Sequence, residues 1–287
     1  MKVAIFGGTG FVGKHLQKAL KNRNHESLVL DVRKDHNWKS QLKDCDAVIN
    51  LAGAGLFAKR WDVDYKSLIH SSRVEGTHAI VNAMSVAREG GKGPQVLVNA
   101  SAVGFYGASV EATFDESSES GTDFLAFVCR EWEAEAQRAE RQFGIRTAIV
   151  RFGVILGKDG GALKKLLPPF KAFLGGPIGF GKQFFPWVHI DDAVGLLIHA
   201  LETSAMSGPF NAVAPEVITN KEFSKALGKA LHRPSLLPVP GPALYVIVGE
   251  AADMLVEGQR VIPVKTLGSG YKFKFDKIDA ALKNLLA

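Results

Sequence analysis

Short apolar runs alternate with longer amphipathic stretches over roughly the first half of the chain. The short runs have the length of buried strands and lie at residues 2–6, 27–30, 47–51, 96–100 and 147–150. The longer stretches repeat their apolar positions at helical spacing and cover residues 11–21, 67–87 and 125–143. This alternation predicts a parallel sheet that is covered by helices on both faces.

A different pattern begins near residue 155, where glycine and proline become frequent. Clusters of these residues predict loops at residues 160–161, 168–169 and 175–177. Helical spacing returns at residues 191–201 and 220–231. The second of these helices has a predicted capping box, formed by Thr219 and Glu222. Prolines between 234 and 242 mark a connector, and the tail has two apolar helical patterns around residues 261–264.

We therefore predict an α/β fold, with a Rossmann-type, doubly wound parallel sheet and a smaller C-terminal α/β lobe. Residues 1–155 are predicted to form the dinucleotide-binding domain, completed by strands that return from about residues 184–213. Residues 156–239 are predicted to supply a substrate lobe, and residues 240–287 a small helical segment. A chain of 287 residues is long enough for this arrangement.

A glycine-rich loop, Gly7-Gly8-Thr9-Gly10-Phe11-Val12-Gly13, follows the first predicted strand and opens the first predicted helix. In such loops the glycines permit a tight turn, let the backbone approach a pyrophosphate, and allow the helix to pack closely on the strand. Free N–H groups at the helix N-terminus then bind the phosphates. The sequence thus predicts a nicotinamide dinucleotide site on Gly7, Thr9, Gly10, Phe11, Val12 and Gly13.

The end of the second predicted strand bears on which dinucleotide is bound. Asp31 stands about 20 residues after the loop, where an acid that binds the ribose hydroxyls favours NAD. Arg33 and Lys34 follow, and a cation at this place favours the 2′-phosphate of NADP. We expect NADP, with NAD as the alternative. After the third predicted strand, Ala52 and Gly53 leave room for the adenosine against the backbone.

Composition and charge narrow the classes of function. The net charge is +6 and the sequence pI is about 9.2, but the basic residues are scattered and no nucleic-acid motif occurs. The two cysteines, Cys45 and Cys129, make no disulfide framework and fit a reducing compartment. The sequence shows no bilayer-spanning stretch, no metal-ligand spacing and no serine nucleophile elbow. We expect a cytoplasmic protein with a small-molecule partner, and no metal, nucleic-acid or membrane partner.

Four motifs occur in the order found in extended short-chain dehydrogenases/reductases. They are residues 7–13, Asn50-Leu51-Ala52-Gly53, Ser101-Ala102-Val103-Gly104-Phe105-Tyr106-Gly107, and residues 185–192. More narrowly, the chain resembles the branch known as epimerase family protein or nucleoside-diphosphate-sugar epimerase-like. Its signatures here are Arg60-Trp61, Val128-Cys129-Arg130-Glu131-Trp132-Glu133, residues 179–187 and residues 257–263. The resemblance covers nearly the whole chain, including a small extra domain from about residue 240.

This resemblance implies an NADP cofactor, although relatives carry a Ser-Arg or Thr-Arg pair where this chain has Asp31-Val32-Arg33. It also implies that Leu51, Ala52 and Arg73 lie near the cofactor. Relatives often pair through the helices around residues 67–87 and 125–143, so a homodimer is expected.

The residues expected for catalysis are missing. Usual members of the family carry Tyr-x-x-x-Lys on the helix near residues 125–143, where Tyr moves a proton and Lys lowers its pKa. That helix contains neither residue type, and the aligned positions are Phe127 and Glu131, or Val128 and Trp132. The family's hydroxyl residue, four positions before Tyr106, is replaced by Ala102, although Ser101 is adjacent.

Replacement groups must come from the residues that are present. The candidates for catalysis are Ser101, Tyr106, Cys129 and Glu131. Aromatic walls with a few polar groups suit a small organic ligand, and the candidates for substrate binding are Tyr106, Phe185, Trp187 and His189. We hypothesise an NADP-binding oxidoreductase or epimerase-like protein that acts on a nucleotide-sugar or a small carbonyl compound. The alternative is a non-catalytic NAD(P)-binding redox sensor or scaffold.

Overall fold

The computed structural model describes residues 1–33, 35–89 and 91–287. Its strands, numbered in chain order, are β1 (Lys2–Phe6), β2 (Glu26–Leu30), β3 (Ala47–Asn50), β4 (Val96–Ala102), β5 (Thr113–Phe114), β6 (Arg146–Phe152), β7 (Val154–Leu156), β8 (Trp187–His189), β9 (Gly208–Ala212) and β10 (Arg260–Val261). Six of them form one sheet in the order β2-β1-β3-β4-β6-β9. All neighbouring pairs in that sheet are parallel. The predicted Rossmann-type fold is confirmed.

The helices are α1 (Phe11–Asn22), α2 (Trp38–Gln41), α3 (Val63–Glu89), α4 (Phe124–Phe143), α5 (Gly161–Lys171), α6 (Ile190–Glu202), α7 (Asn220–Leu231), α8 (Gly241–Val248), α9 (Asp253–Val256), α10 (Val264–Gly268) and α11 (Ile278–Leu286). Short 3-10 turns lie at Leu42–Asp44, Val103–Tyr106 and Gly249–Ala252. No helix of the described residues is long and apolar enough to cross a membrane.

The sheet buries both of its faces. Leu16 and Leu20 of α1 pack with Leu196 of α6 on one face, whereas Ile80 and Met84 of α3 belong to the core on the other face. Fully burying such a side chain contributes roughly 2 kcal/mol to folding. The inner strands β1, β3, β4 and β6 are buried along most of their length, because helices cover both faces there, so they do not alternate between buried and exposed positions.

The strand order reverses between the parallel neighbours β1 and β3, so the connections that follow these two strands leave in opposite directions and a crevice opens between them. Open α/β sheets bind their ligands outside the carboxyl ends of the strands at such a switch point. The glycine-rich loop follows β1, and residues 51–53 follow β3. The topology therefore brings together the two segments that the sequence analysis assigned to the dinucleotide.

Two small ribbons and the last helices build the second lobe. β7 pairs with β8, and β5 pairs with β10 of the C-terminal segment, both in parallel. Thr219 caps α7 in the predicted capping box, because its hydroxyl accepts the Glu222 N–H and the Glu222 carboxylate accepts the Thr219 N–H. The C-terminal α11 buries Ala281, Leu282 and Leu285 in the main core.

Two expectations about the second half of the chain were wrong. Pro168 and Pro169, taken as loop residues, lie inside α5 near its C-terminal end. Proline removes a hydrogen-bond donor, but buried Leu163 and Phe170 anchor this helix in the core. The two helical patterns predicted around residues 261–264 are misplaced. β10 ends at Val261, where it pairs with β5, and the short α10 begins at Val264. The longer C-terminal helix is α11, which begins only at Ile278.

Candidate functional site

The glycine-rich loop is packed too tightly to carry side chains at two of its positions. Gly7 has φ +78°, and a Cβ there would lie 2.6 Å from the carbonyl oxygen of Leu51. A Cβ on Gly13 would lie 2.5 Å from the carbonyl oxygen of Gly7. The loop after β1, the residues after β3 and the first turn of α1 thus touch one another through backbone atoms.

The first turn of α1 leaves its backbone donors free for a ligand. Gly10 is the N-cap residue and provides no side-chain cap, and the first turn contains no acidic residue. The first intrahelical hydrogen bond runs from the Lys14 N–H to the Gly10 carbonyl, so the N–H groups of Phe11, Val12 and Gly13 have no partner within the helix. Thr9 and Gly10 are exposed at the same place. This cradle fits the phosphates of a dinucleotide, since it offers backbone donors and the positive end of the helix dipole.

Phe11 also joins the loop to the second lobe. A Cβ on Gly160 would come within 2.3 Å of the Phe11 ring, so the segment after β7 lies directly on that ring. One turn later, His15 Nε2 lies 3.0 Å from the carboxylate of Asp159 in the same segment. The N-terminus of α1 is therefore bordered on one side by residues 157–161.

Arg73 of α3 holds the residues that follow β3. Its guanidinium donates to the carbonyl of Ala54 at 3.0 Å, and a Cβ on Gly53 would lie 3.0 Å from Cζ of Arg73. The Ala52 N–H donates to the Asn50 side chain at 3.1 Å, which fixes the strand end. Arg73 thus lies at the mouth of the crevice, at the place implied by the resemblance.

The turn after β2 holds Asp31 and leaves Arg33 free. Oδ1 of Asp31 accepts the backbone N–H of Arg33 at 2.9 Å, so the carboxylate is engaged within its own turn. The Arg33 side chain is exposed and takes part in no ion pair with the described residues. Lys34, the other predicted cation, lies outside the described residues. Of the two ways in which the ribose could be recognised, this geometry favours a cation on a 2′-phosphate.

The residues of α4 that face the end of β4 differ from those of both alignments considered from the sequence. The first alignment placed the Tyr and Lys positions at Phe127 and Glu131. Phe127 is exposed and stacks on His70, with Glu131 one turn on, so these two positions point away from β4. Leu125 is the residue that packs on Gly104 after β4, with Leu125 Cβ 3.5 Å from the place of a Gly104 Cβ. Cys129, four residues on, lies beside Ser101 and Ala102.

The second alignment fails for a different reason. Val128 is buried with Tyr65 and Ile69 of α3. The indole N–H of Trp132 donates to the hydroxyl of Thr77 at 2.9 Å, also on α3. The spacing Tyr-x-x-x-Lys therefore falls on Leu125 and Cys129, and neither of them can transfer a proton in the way that the Tyr–Lys pair does.

Ser101 belongs to a closed hydrogen-bond network beneath the strand ends. Its hydroxyl donates to Oε1 of Glu133 at 2.6 Å. Arg151 of β6 binds the same carboxylate with two bonds, Nε to Oε1 at 2.8 Å and NH2 to Oε2 at 2.7 Å. Ser101, Glu133 and Arg151 are each at least 96 % buried. The Arg151–Glu133 ion pair is bidentate and buried, so the Glu133 carboxylate is held in place. The Ser101 hydroxyl donates to this carboxylate and is not available to a substrate.

Tyr106 extends this network toward the C-terminal segment. Its hydroxyl accepts from Arg151 at 2.9 Å and donates to Oδ1 of Asn211 at 2.7 Å. Burial raises the pKa of Tyr106 to about 12, despite the nearby guanidinium. Glu116, which the sequence analysis did not single out, accepts the backbone N–H groups of Asn211 and Thr266 at 3.0 and 3.1 Å. Tyr106 thus ties the sheet to the C-terminal lobe, and its burial does not fit the expected contact with a substrate.

The two remaining candidates for catalysis, Cys129 and Glu131, lie on different faces of α4. Cys129 is buried, and this burial, with Glu133 beside it, raises the pKa of its thiol to about 12. Such a thiol is almost wholly protonated at neutral pH and is a poor nucleophile. Glu131 is half exposed and lies 3.8 Å from Arg130 on the surface of α4. It therefore does not lie with Ser101 and Cys129 at the end of β4.

The expected substrate wall is part of the core. Trp187 and His189 are each about 1 % exposed, and His189 stacks on Phe275 with ring centroids 3.9 Å apart. Phe185 stacks on Phe223 at 4.2 Å and borders a cavity of only about 10 Å³. A space of that size holds at most one water molecule. The reason is that β8 runs inside the lobe, so its side chains pack against α7 and the C-terminal segment.

His189 has a structural role at the start of α6. Its Nδ1 accepts the backbone N–H of Asp191 at 3.0 Å and so caps the helix. Burial lowers its pKa, so the neutral ring carries its proton on Nε2. The Nε2 atom of His189 and the Nε1 atom of Trp187 have no partner among the described residues.

A loop that sequence reasoning did not single out for this role crosses the mouth of the crevice. The ammonium of Lys165 in α5 lies over the Phe57 ring, 5.2 Å from its centroid. Arg60 donates to the carbonyl of Tyr245 in α8 at 3.2 Å. Residues 55–62 thus connect the Rossmann sheet with both the substrate lobe and the C-terminal lobe. The Arg60-Trp61 pair was noticed only as a signature, because its contacts are distant in sequence.

The comparisons with known proteins agree with this architecture. A family model described as NAD dependent epimerase/dehydratase family matches residues 3–212. The chain belongs to this family. A second model, described as a domain of unknown function (DUF1731), matches residues 239–285. The expected resemblance to epimerase family proteins with a small extra C-terminal domain is confirmed.

Relatives of the same length are found in animals and bacteria. The epimerase family protein SDR39U1 of Bos taurus is 42 % identical over 299 residues, spanning 100 % of both chains. The epimerase family protein YfhF of Bacillus subtilis is 38 % identical over 304 residues, covering 100 % of this chain and 98 % of YfhF. A crystal structure of human epimerase family protein SDR39U1 (isoform 2) with NADPH has a TM-score of 0.90 and 36 % identity, and the match covers 100 % of this chain and 99 % of that one.

A more distant structure supports the fold alone. The UDP-glucuronic acid 4-epimerase of Bacillus cereus, solved with UDP-glucuronic acid and NAD, has a TM-score of 0.80 at 17 % identity, covering 100 % of this chain and 98 % of that one.

Proposed function

We propose that this chain binds NADP(H) in the crevice between β1 and β3. This proposal rests on the first turn of α1, which has no side-chain cap and lies at the switch point of the sheet. Close backbone contact between Gly7 and Leu51 forms the base of the crevice there. The exposed Arg33 lies at the end of the neighbouring β2, where a 2′-phosphate is recognised. The human relative solved with NADPH supports the phosphorylated form.

We propose further that the chain is an oxidoreductase of the short-chain dehydrogenase type, or acts like an epimerase, on a small carbonyl compound or a nucleotide-sugar. The bound nicotinamide would supply or accept a hydride. The chain's own residues would hold the phosphates through the backbone N–H groups of residues 11–13, and Arg73 would border the pocket beside Gly53. Because Leu125 and Cys129 stand where Tyr and Lys would act, the proton has to come from solvent or from the substrate.

Hydride transfer is tested by following NADPH absorbance while the protein is offered a panel of aldehydes, ketones and UDP-sugars. The proposal expects turnover with at least one class, and loss of turnover when Arg73 is replaced by Met, which keeps the apolar stem. Tight NADPH binding with no oxidation by any member of the panel would contradict the enzymatic part and leave the binding part standing.

A second function is favoured by one specific observation, the Leu125–Cys129 pair at the end of β4. A non-catalytic redox sensor or scaffold needs no proton-transferring Tyr–Lys pair. In this chain the corresponding Leu125 packs on Gly104 and cannot transfer a proton. This alternative expects different conformations with NADPH and NADP+. Hydrogen exchange of residues 55–62 and of α8 is the readout, and identical exchange with both nucleotides would argue against a sensor.

We also propose that the protein works in the cytoplasm, where its two free, buried cysteines stay reduced. A homodimer would form through α3 and α4, which pack side by side and expose Leu68, Val86 and Phe127.

A further inference from the structure

Two turns of the substrate lobe form a rigid ribbon that is separate from the crevice. Residues 173–180 run beside residues 236–239, and we call this pair the lobe ribbon. The Gly179 N–H donates to the carbonyl of Val239 at 2.9 Å, and the Val239 N–H donates to the carbonyl of Pro177 at 2.8 Å. These bonds pair the two segments as in a small sheet, so the ribbon has a defined shape.

The lobe ribbon presents large apolar side chains to solvent. Phe180 is 88 % exposed and Leu236 is 81 % exposed. Three further apolar residues of the ribbon are at least half exposed, namely Phe173, Leu174 and Leu237. Single exposed apolar residues are ordinary on protein surfaces, but a contiguous group of this kind marks a surface that meets another apolar phase.

The backbone holds the aromatic residues at the tips. Phe173 has φ +63°, a left-handed conformation that a bulky residue adopts only at a cost. Phe180 lies between Gly179 and Gly181, whose φ angles are +56° and +67°. The left-handed Phe173 ends α5, because the Leu174 N–H donates to the carbonyl of Pro169 across that residue. Backbone hydrogen bonds also hold the turn at Gly179 and Gly181. The backbone therefore fixes both aromatic residues, while their side chains remain exposed.

Basic residues are frequent in the segments that carry these tips. Residues 160–190 contain four lysines and no Asp or Glu, and residues 223–249 contain two lysines, one arginine and no Asp or Glu. The guanidinium of Arg233 lies 4.5 Å from the centroid of the Phe173 ring. Exposed Lys171 and Lys182 each lie two positions from an exposed phenylalanine.

An acidic residue near the ribbon, Glu222, already has hydrogen-bond partners for its carboxylate. The backbone N–H of Lys221 donates to the carbonyl of Gly181, which places the start of α7 beside the Phe180 turn. Glu222 follows, but its carboxylate is turned back onto the N–H and hydroxyl of Thr219 in the capping box. Exposed Lys171 and Lys182 and the guanidinium of Arg233 thus place positive charge beside the apolar tips.

We propose that the lobe ribbon is a docking surface for an anionic lipid bilayer. Phe173, Phe180 and Leu236 would enter the boundary between headgroups and acyl chains, while Lys171, Lys182 and Arg233 would pair with lipid phosphates. The combination of protruding apolar tips with exposed lysines beside them fits an anionic bilayer better than a neutral one. The sequence analysis expected no membrane partner because no segment could span a bilayer, and peripheral docking needs no span.

Vesicle co-sedimentation of the full chain tests this proposal. Vesicles of phosphatidylcholine alone are compared with vesicles of equal parts phosphatidylcholine and phosphatidylglycerol, at low and high salt. The wild-type chain is expected to pellet with the anionic vesicles only, and less at high salt. The double variant Phe180→Ser/Leu236→Ser is expected to bind them about tenfold more weakly or worse, since two buried apolar anchors are lost.

Controls separate this surface from general effects. Val110→Ser/Val264→Ser removes two other exposed apolar side chains and is expected to bind vesicles like the wild type. The charge variant Lys171→Glu/Lys182→Glu is expected to bind anionic vesicles weakly at low salt and equally weakly at high salt. NADPH titration of each variant checks that the crevice is intact. The proposal is overturned if the wild-type chain ignores anionic vesicles, if both double apolar variants bind equally, or if Phe180→Ser/Leu236→Ser instead converts a dimer to a monomer with no change in vesicle binding.

Discussion

The Ser101 hydroxyl donates a 2.6 Å hydrogen bond to Oε1 of Glu133, the same oxygen that accepts the Nε–H of Arg151 at 2.8 Å. A serine next to the family's hydroxyl position is thereby tied to a buried ion pair under the sheet. The arrangement joins β4, α4 and β6, so it stabilises the end of the sheet against which any nucleotide would lie. It also explains why Ser101 does not replace the missing hydroxyl residue.

Removing the charge of Glu133 is expected to destabilise the fold. Glu133→Gln keeps the shape and one acceptor but leaves the buried Arg151 without a counter-charge, which costs about 3 kcal/mol of unfolding free energy. Urea denaturation measures the change. Glu131→Gln, on the exposed side of the same helix, is the matched control and should stay within about 0.5 kcal/mol of the wild type. Equal stability of the two variants would show that the ion pair contributes nothing.

Cys129 is expected to be unreactive in the folded protein. Burial and the neighbouring Glu133 raise the pKa of its thiol to about 12, so the thiolate is scarce at neutral pH. Iodoacetamide labelling followed by mass spectrometry should modify Cys129 in guanidinium but not in buffer. Rapid labelling of the native chain at neutral pH would restore Cys129 as a candidate nucleophile.

The buried His189 is expected to make stability depend on pH. Because its folded pKa is lowered, the unfolded chain takes up the proton first as the pH falls below about 6.5. The free energy of unfolding should therefore decrease from that pH down to the folded pKa, and level off below it.

Asparagine at position 189 keeps an acceptor for the Asp191 N–H but does not titrate, so His189→Asn should flatten this part of the pH profile. Urea midpoints measured between about pH 5 and 7.5 give the comparison. An unchanged slope in the variant would assign the dependence to another group.

Arg33 is expected to select the phosphorylated cofactor. Arg33→Ser should weaken NADPH binding about tenfold or more while leaving NADH binding nearly unchanged, because only NADPH carries the 2′-phosphate. Asp31→Asn keeps the oxygen that accepts the Arg33 N–H and removes the negative charge, so it should strengthen NADPH binding. Equal loss of both nucleotides in Arg33→Ser would mean that the residue acts on the fold of the turn.

Most elements of the nucleotide-binding half could be predicted from the sequence, because each of them is defined by residues that are neighbours in the chain. The strand before the loop, the glycines and the opening of α1 are consecutive residues, and α7 with its capping box starts and ends at the predicted positions. The relation between Gly7 and Leu51 also follows, since parallel strands end at one edge of the sheet.

The groups beside the nicotinamide side of the crevice were harder to predict because helical rotation decides them. Leu125 and Cys129 face the end of β4, whereas Phe127 and Val128 contact α3, and only the structure shows this rotation of α4. The apolar stripe of Ala126, Cys129, Ala136 and Ala139 includes position 133 at helical spacing, which is a signal that Glu133 is buried. Trp187 and His189 were misjudged because a single inner strand of a lobe has the same composition as a pocket wall.

Calorimetric titration with NADPH, using a matched pair of variants at Thr9, tests the central claim most directly. Thr9 is exposed on the loop that is proposed to hold the phosphates, and Asp and Asn have nearly the same shape. The account predicts saturable NADPH binding by the wild type and by Thr9→Asn, and affinity lower by about tenfold or more in Thr9→Asp, because the added carboxylate faces the phosphates. Absence of binding heat in the wild type, or equal affinities for the two variants, would contradict it.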